Sequence, residues 1–255
     1  MPEPDDTATT AAPDPVLALL WRDRSQAPPV RRGPRQKVTL DEVVAAGIEV
    51  ADADGLAALS VRGVAQRLGI GAMSLYTYVP GRDELVILMV DDVLGRTPLP
   101  SHADDLSVRL ATVAELAYAE FVAHPWLLEV EGLRAWLGPH SSERYEWQLA
   151  AVDGVGLNDI DMDQTVTLLV GIAATAVRSR HAVLAAERRS GQTELEWWTA
   201  NAAALGEAMA GRDFPVASRV GQAAGEAHQA ASDPEGQFRF ALEVAVGGLL
   251  ARLQR

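Results

Sequence analysis

The sequence contains no cysteine and few aromatic residues. Without cysteine the chain can form neither a disulfide framework nor a cysteine-based zinc site, which fits the reducing cytoplasm where we expect the protein to work. Aromatic residues account for 5% of the 255 positions, whereas hydrophobic residues account for 48%. Many of these are alanine, which favours helices, while sheets favour aromatic and β-branched residues. The composition therefore predicts an all-α protein with a sizeable core.

Long apolar runs and familiar catalytic motifs are also missing. The nearest candidate for a membrane span, residues 16–21, is far too short, and the acidic N-terminus does not resemble a signal peptide. The five histidines lack metal-ligand spacing. No nucleophile elbow, phosphate loop or dinucleotide fingerprint is present in the sequence. We therefore expect no membrane association, no metal, no cofactor and no enzymatic activity.

The net charge of −13 is distributed unevenly along the chain. Residues 22–82 carry nine basic and six acidic groups and are net +3, whereas residues 83–255 are net −12. Such asymmetry suggests a nucleic-acid-binding segment joined to an acidic part that has another role.

Residues 1–38 are rich in Pro, Asp, Thr and Arg and predict a flexible, basic-ended N-terminal arm. Within it, the apolar run at 16–21 has two interpretations, a short docking helix or a partly ordered tail. Regular helix patterning begins at Thr39, where residues 39–42 form a capping box. A helix from there ends at Gly55, and further short helices are predicted after Ser60, over 72–78 and over 82–94.

Beyond the proline-rich break at 98–100, the pattern is helical to the C-terminus and contains no convincing strand. The caps and apolar spacing predict a long helix capped by Asn158 or Asp159, a helix of undefined extent after Pro215, and helices over residues 106–123, 126–137, 142–152, 194–209 and 237–253.

The most informative stretch is 59–79. Two short helices are separated there by Gly69, whose position suits a turn that needs positive φ. Residues such as Ala65, Leu68 and Leu75 can pack the pair against the preceding helix. This arrangement is typical of a helix-turn-helix, in which the second helix presents its first residues to DNA bases. A generic helical hairpin is the alternative for the bare pattern.

Residues Ala65–Ile70, Met73–Val79 and Arg82–Leu85 closely resemble the DNA-binding domain of the TetR/AcrR family of transcriptional regulators, of the actinobacterial type. The resemblance covers residues 39–95 in unbroken register. A weaker resemblance links the C-terminal part to the effector-binding and dimerisation domains of that family. It implies a DNA-binding domain over 39–82, followed by a helical effector-binding and dimerisation domain over 83–255.

The resemblance also implies DNA contacts. Arg62 matches a base-reading position, and its fork suits guanine O6 and N7. Arg82 matches a phosphate anchor beside a helix N-terminus. Other positions of the family contact DNA bases or DNA phosphates, or cap the adjacent helix. The residues at these positions are Ser60, Ala72, Met73, Ser74, Tyr76, Thr77 and Tyr78. The N-terminal arm carries four basic residues, Arg31, Arg32, Arg35 and Lys37. They either contact the minor groove of the DNA or belong to a solvated tail that contacts nothing.

The sequence departs from the family pattern at three places. Gly71 stands where relatives carry a polar helix cap, so the cap of the recognition helix is weak. Tyr78 replaces a commoner His, and Val79 replaces a commoner Phe. These departures affect individual contacts rather than the identification of the domain.

Effector and dimer residues follow from the same resemblance. Aromatic residues of the middle helices either belong to the core or line a ligand cavity, with a few polar neighbours: Trp126, Trp136, Tyr145, Trp147, Met162, Thr165 and Arg178. Apolar residues of the two longest C-terminal helices either form intradomain core or a four-helix dimer interface: Leu169, Ala173, Ala176, Val177, Leu242, Val246, Leu249, Leu250 and Leu253.

The sequence therefore predicts a homodimeric regulator that binds a palindromic or pseudo-palindromic double-stranded DNA operator. A small, largely hydrophobic ligand is expected to release this repressor from DNA. An activator and a regulator without an effector are the alternatives within the same class. A helical enzyme is the alternative outside it, and the lack of a catalytic constellation argues against that function.

Overall fold

The structure, a computed structural model, describes residues 15–22, 38–132, 136–228, 230 and 232–254. The prediction of an all-α fold is confirmed, since no strand occurs among these residues. The α-helices are α1 (Pro15–Leu20), α2 (Leu40–Asp54), α3 (Val61–Arg67), α4 (Ala72–Leu75), α5 (Arg82–Arg96), α6 (Leu106–Ala123), α7 (Pro139–Ala150), α8 (Asp159–Ser190), α9 (Glu194–Ala208), α10 (Pro215–His228) and α11 (Pro234–Leu253).

The chain forms two compact units. Unit 1 contains the residues up to Pro100 together with Glu129–Trp147, and unit 2 contains Ser101–Leu128 together with the residues from Gln148 onward. Unit 1 is thus larger than the DNA-binding domain expected over 39–82, because it also takes in α5 and most of α7.

Local capping signals fix the starts of several helices. Thr39 and Glu42 make the predicted capping box at α2, and the Ser60 hydroxyl accepts from the amide of Gly63 at α3. Asn158 caps α8, where its side chain accepts from the amide of Asp161. Each of these contacts joins residues three apart, which is why the sequence pattern was sufficient to locate them.

Two predicted helices are shorter than the sequence pattern indicated. The α-helix at α4 ends at Leu75, because the amides of Thr77 and Tyr78 bond three residues back instead of four. The helix predicted over 126–137 is wrong in extent, because among the described residues 126–132 helical structure is limited to a 3₁₀ turn over Pro125–Glu129. Gly132 follows with φ of 83°, a conformation that a helix cannot include.

A short helix in the N-terminal segment supports the docking interpretation of residues 16–21. Helix α1 packs on α5, and its Val16 and Leu20 side chains are almost completely buried. The indole nitrogen of Trp21 donates to the Leu137 carbonyl at 3.0 Å, and Arg22 pairs with Asp41 at the start of α2. Residues 15–22 are therefore an integral part of unit 1 and not a flexible arm.

Helices α6, α8 and α11 build the core of unit 2. Helix α8 is long and apolar enough to cross a membrane by length and composition alone. One side of it, with Leu169, Ala173 and Val177, is fully buried within the unit, and 39% of its most apolar window is buried.

Candidate nucleic-acid interface and effector site

Helices α3 and α4 form a helix-turn-helix in unit 1. Gly69, with φ of 65°, makes the turn between them, and the amide of Ile70 donates to the Ala65 carbonyl at 3.0 Å. Val64, Ala65 and Leu75 are buried and pack the two helices together and against α2. The buried apolar side of the pair leaves the opposite side of α4 facing solvent.

The solvent-facing side of α3 and α4 carries the predicted base-reading residues. Met73 is 79% exposed, Ser74 and Arg62 are also exposed, and Ala72 is half-buried. In the described part of the chain the Arg62 guanidinium has no ion-pair partner. Its neighbour Arg67, by contrast, pairs with Glu49 at 2.8 Å. Arg62 is therefore available for an external acceptor, whereas Arg67 is already engaged.

The hydroxyl residues predicted to grip phosphates differ in availability. The Tyr78 hydroxyl donates to the Val38 carbonyl at 2.8 Å, and the Thr77 hydroxyl donates to the Ser74 carbonyl at 2.6 Å. A phosphate oxygen can only accept, so either residue would have to break its bond to donate to it. Tyr76 is 49% exposed, and its hydroxyl makes no bond within the described residues. Tyr76 is thus the best placed of the three.

Arg82 has a role that the sequence did not reveal. Its Nε donates to the Leu59 carbonyl at 3.1 Å, and one terminal nitrogen donates to the Leu56 carbonyl at 2.8 Å. These carbonyls lie in and just after a 3₁₀ turn, Leu56–Ala58, that connects α2 to α3. The guanidinium therefore links α5 to this connection, and fewer of its N–H groups remain free to bind a phosphate. The four basic arm residues, Arg31, Arg32, Arg35 and Lys37, lie outside the described residues.

The effector residues predicted from the sequence are divided between the two units. Trp136, Tyr145 and Trp147 belong to unit 1, while Trp126, Met162, Thr165 and Arg178 belong to unit 2. Within unit 2, thirteen residues separate Thr165 from Arg178 on one helix, which places them about 20 Å apart. The structure therefore does not gather the seven residues around a single small cavity within either unit.

A smaller group of the predicted effector residues does converge in unit 2. Trp126 is fully buried in the 3₁₀ turn after α6, where its ring meets His124 edge-on at 6.2 Å. Arg178 of α8 donates to the Leu128 carbonyl of the same turn at 3.2 Å. One helical turn later, His181 has a buried Nε2 without a hydrogen-bond partner in the described residues. Its burial, followed by the positive charges of Arg180 and Arg188, lowers the pKa of His181, which favours the neutral ring.

Most of the predicted dimer residues are buried within one chain. Leu169, Ala173, Ala176, Val177, Leu242 and Val246 are each less than 10% exposed, so the intradomain-core alternative applies to them. Burial by helices of the same chain does not favour an interface role for Leu169, Ala173, Val177, Leu242 and Val246, whereas Ala176 also lines a surface groove between α8 and α11. Leu249, Leu250 and Leu253 stay partly exposed.

A different side of α8 and α11 remains apolar and exposed. Leu168 is 46%, Phe240 69% and Val244 58% exposed. We call these three residues, with the exposed glycines Gly171, Gly247 and Gly248, the α8/α11 strip. It borders a groove of about 430 Å³ whose lining includes Leu168, Gly171, Ile172, Thr175, Phe238 and Ala241. From the sequence, Gly171, Gly247 and Gly248 are predicted to allow close approach of another helix. Sequence analysis did not single out Leu168, Phe240 and Val244, because helical periodicity does not reveal which of two apolar sides another helix will cover.

No cluster of three or more potential metal-ligating side chains occurs among the residues that the structure describes.

Comparison with known proteins identifies the class of the molecule. Residues 97–253 match the tetracyclin repressor-like C-terminal domain, and a helix-turn-helix precedes them. The chain thus belongs to the tetracycline-repressor family and is a DNA-binding transcriptional regulator, not an enzyme. It is 38% identical over 209 residues to the HTH-type transcriptional repressor DrrR1 of Streptomyces coeruleorubidus, covering 81% of this chain and 76% of DrrR1. An HTH-type transcriptional regulator of Saccharopolyspora erythraea is 35% identical over 130 residues, covering 49% of this chain and 53% of that protein.

Solved structures show the same fold. ActR of Streptomyces coelicolor in complex with actinorhodin is 26% identical with a TM-score of 0.64, covering 84% of this chain and 96% of ActR. Apo ActR is 23% identical with a TM-score of 0.65, covering 87% of this chain and 99% of ActR.

Proposed function

We propose that this regulator is a homodimeric, cytoplasmic repressor that binds a palindromic or pseudo-palindromic operator and leaves it when a small, largely hydrophobic ligand binds. The observation that carries the proposal is the exposed side of α3 and α4, where Arg62 has no ion-pair partner among the described residues and Met73 faces solvent. Its relative DrrR1 is named a repressor, which supports repression over activation.

Dimerisation is supported by the α8/α11 strip. A side chain as large as Phe240 that is 69% exposed beside other apolar groups favours an interface over bare solvent. The exposed glycines beside it allow another helix to approach closely, and the groove offers a complementary recess. The proposed occupant is the same strip of a second copy, because a symmetric dimer brings two helix-turn-helix motifs to the two half-sites of a palindrome.

An aromatic or largely hydrophobic effector is supported by two observations. ActR has been solved with actinorhodin bound, and it shares 26% of its residues with this chain. In this chain, the buried Trp126 ring meets the His124 ring edge-on, and Arg178 donates to the Leu128 carbonyl two residues further along, so an aromatic ring and a few polar groups lie along one turn of unit 2.

The basic test is a mobility-shift assay of the purified full-length chain on the DNA upstream of its own gene. A shift that excess unrelated DNA does not abolish supports the proposal, and a footprint of the bound fragment then gives the operator. Absence of any sequence-selective shift would contradict sequence-specific DNA binding. Transcription from the operator with and without the protein distinguishes a repressor from an activator.

Arg62→Ala is expected to weaken operator binding by about 1–3 kcal/mol and to relax the preference at one base pair, because a guanidinium that reads guanine is lost. Fluorescence anisotropy with operators varied at each position measures both effects. Arg67→Ala is the matched control, since Arg67 lies on the same helix but pairs with Glu49. An equal loss on specific and random DNA would show that Arg62 contacts only phosphate.

Replacing Arg31, Arg32, Arg35 and Lys37 together with alanine is expected to weaken DNA binding and flatten its salt dependence, by roughly 0.9 in the log–log slope for each lost phosphate contact. Substitution is preferable to deletion of residues 1–37, because deletion would also remove α1 and expose its buried contacts on α5. An unchanged slope would show that the basic arm does not contact DNA.

A further inference from the structure

The chain passes between the two units at three points, and the points differ in stiffness. It crosses after Pro100 in a non-helical segment, after Leu128 within a 3₁₀ turn, and after Trp147 inside α7. A regular α-helix holds its turns together by hydrogen bonds from each residue to the fourth before it. Helix α7 is therefore the stiffest covalent connection between unit 1 and unit 2, and movement at its last turn reaches its first turn directly.

The first turn of α7 contacts Asp91, a residue of α5. One carboxylate oxygen of Asp91, Oδ1, accepts from the amide of Ser141 at 3.0 Å and from its hydroxyl at 3.3 Å. This amide belongs to the first turn of α7, which has no acceptor within the helix. A carboxylate also complements the positive end of the helix dipole. Asp91 thus acts as a cap supplied by a helix fifty residues away.

Two glycines make this contact close. A Cβ added to Gly138 would lie 2.0 Å from Asp91 Oδ1, and one added to Gly95 would lie 2.6 Å from the His140 ring. Both distances are far shorter than atomic contact permits. The Asp91 side chain can lie against the start of α7, and the His140 ring against α5, only because both positions lack a side chain.

The contact also leaves one buried polar atom unsatisfied. Asp91 is 1% exposed, and its second oxygen, Oδ2, has no hydrogen-bond partner among the described residues. Burial of a carboxylate with an unsatisfied oxygen is unfavourable, whereas the bond to the α7 start is favourable. Moving the α7 start away would admit water to Oδ2 but break the cap. The arrangement in which Asp91 caps α7 and the arrangement in which the α7 start has moved away are therefore closer in free energy than they would be for a purely apolar contact.

We propose that Asp91 is the positioning residue that couples α7 to α5, so that movement of α7 caused by an effector in unit 2 reaches the helix-turn-helix through this contact. The inference rests on the proposed function, because it concerns how the effector releases DNA. Helix α5 begins at Arg82, whose guanidinium holds the connection between α2 and α3. The path therefore runs from α7 through Asp91 along α5 to the DNA-binding helices.

Because coupling between two binding sites is reciprocal, operator DNA itself can serve as the probe. Hydrogen–deuterium exchange of the full-length chain is measured with and without the footprinted operator. In the wild type, operator DNA should change exchange of the last turn of α7 by about threefold or more, besides protecting α4. Asp91→Ala should reduce the change at α7 to less than about 1.5-fold while protection of α4 remains.

Two further variants keep the test decisive if Asp91→Ala does not fold. Gly138→Ala should have the same effect, because its methyl group displaces the α7 start while the carboxylate remains. Asp91→Asn should retain the response, because an amide oxygen can still accept from Ser141. Glu146→Ala is the control, since Glu146 is an exposed acid on α7 itself.

The outcomes separate the two proposals. A wild-type response at α7 that persists in Asp91→Ala and Gly138→Ala overturns the assignment of Asp91, as does loss of the response in Glu146→Ala or Asp91→Asn. The absence of any wild-type response at α7, with α4 protected, overturns coupling through α7 but leaves DNA binding intact. The absence of protection at α4 together with no DNA binding refutes the proposed function instead.

Discussion

Phe240→Arg is expected to dissociate the dimer and to weaken operator binding by about a hundredfold, or about 2.7 kcal/mol. Phe240 is 69% exposed within one chain, so the substitution should leave the core of unit 2 intact. In the proposed dimer, the new guanidinium would have to be buried in an apolar seam without a partner. A monomer presents only one helix-turn-helix to an operator with two half-sites, so DNA affinity falls as well. Sedimentation velocity and operator anisotropy measure the two effects.

The matched control is Val108→Arg. Val108 is 49% exposed and lies in the same unit, on α6 and not on α8 or α11, and it does not line the groove beside the strip. It introduces the same charge at an apolar surface position, and we expect it to leave both the dimer and DNA binding unchanged. If Phe240→Arg remains dimeric, the strip is not the interface. The exposed apolar residues of α9 and α10, such as Trp197 and Val216, would then be the next surface to test.

The sequence predicted the fold wherever the determining contacts are local. Caps at Thr39, Ser60 and Asn158 and the turn at Gly69 depend on residues within four positions of one another. Their patterns carry the whole physical cause, and they placed α2, α3 and the start of α8 correctly. The helix-turn-helix followed because it is built from these local elements at short spacing.

The sequence was less informative wherever the partner lies far along the chain. Helical periodicity showed that Leu169 and Leu242 belong to apolar stripes, but not that the same chain already buries them. The exposed Phe240 lies two residues from the buried Phe238, and only the structure separates them. Asp91 resembles an ordinary surface acid until Ser141, fifty residues later, is placed against it.

Arg82 shows the same difficulty at a residue with a predicted function. A basic residue at the start of a helix suits a phosphate anchor, and the family resemblance supports that role. In the structure, two N–H groups of Arg82 donate instead to the carbonyls of Leu56 and Leu59. The two roles predict different behaviour, because one depends on the shape of the guanidinium fork and the other mainly on its charge.

Arg82→Ala is therefore expected to lower the free energy of unfolding by about 3 kcal/mol, since each charge-assisted hydrogen bond contributes about 1.5 kcal/mol. Operator affinity should fall with it, because the connection between α2 and α3 loses its anchor. Thermal unfolding without DNA and anisotropy across a salt series measure the two quantities. A structural role predicts an unchanged salt slope, whereas loss of a phosphate contact reduces it by roughly 0.9.

Arg82→Lys separates the two roles most clearly. A lysine retains the positive charge and binds phosphate as a point charge, but it cannot reproduce the Nε and terminal-nitrogen geometry that reaches two carbonyls. If Arg82 is chiefly structural, the lysine variant should be nearly as unstable as the alanine variant and bind DNA almost as weakly. If it is chiefly a phosphate anchor, the lysine variant should retain stability, most of the affinity and the wild-type salt slope. The two carbonyl contacts lead us to expect the first result.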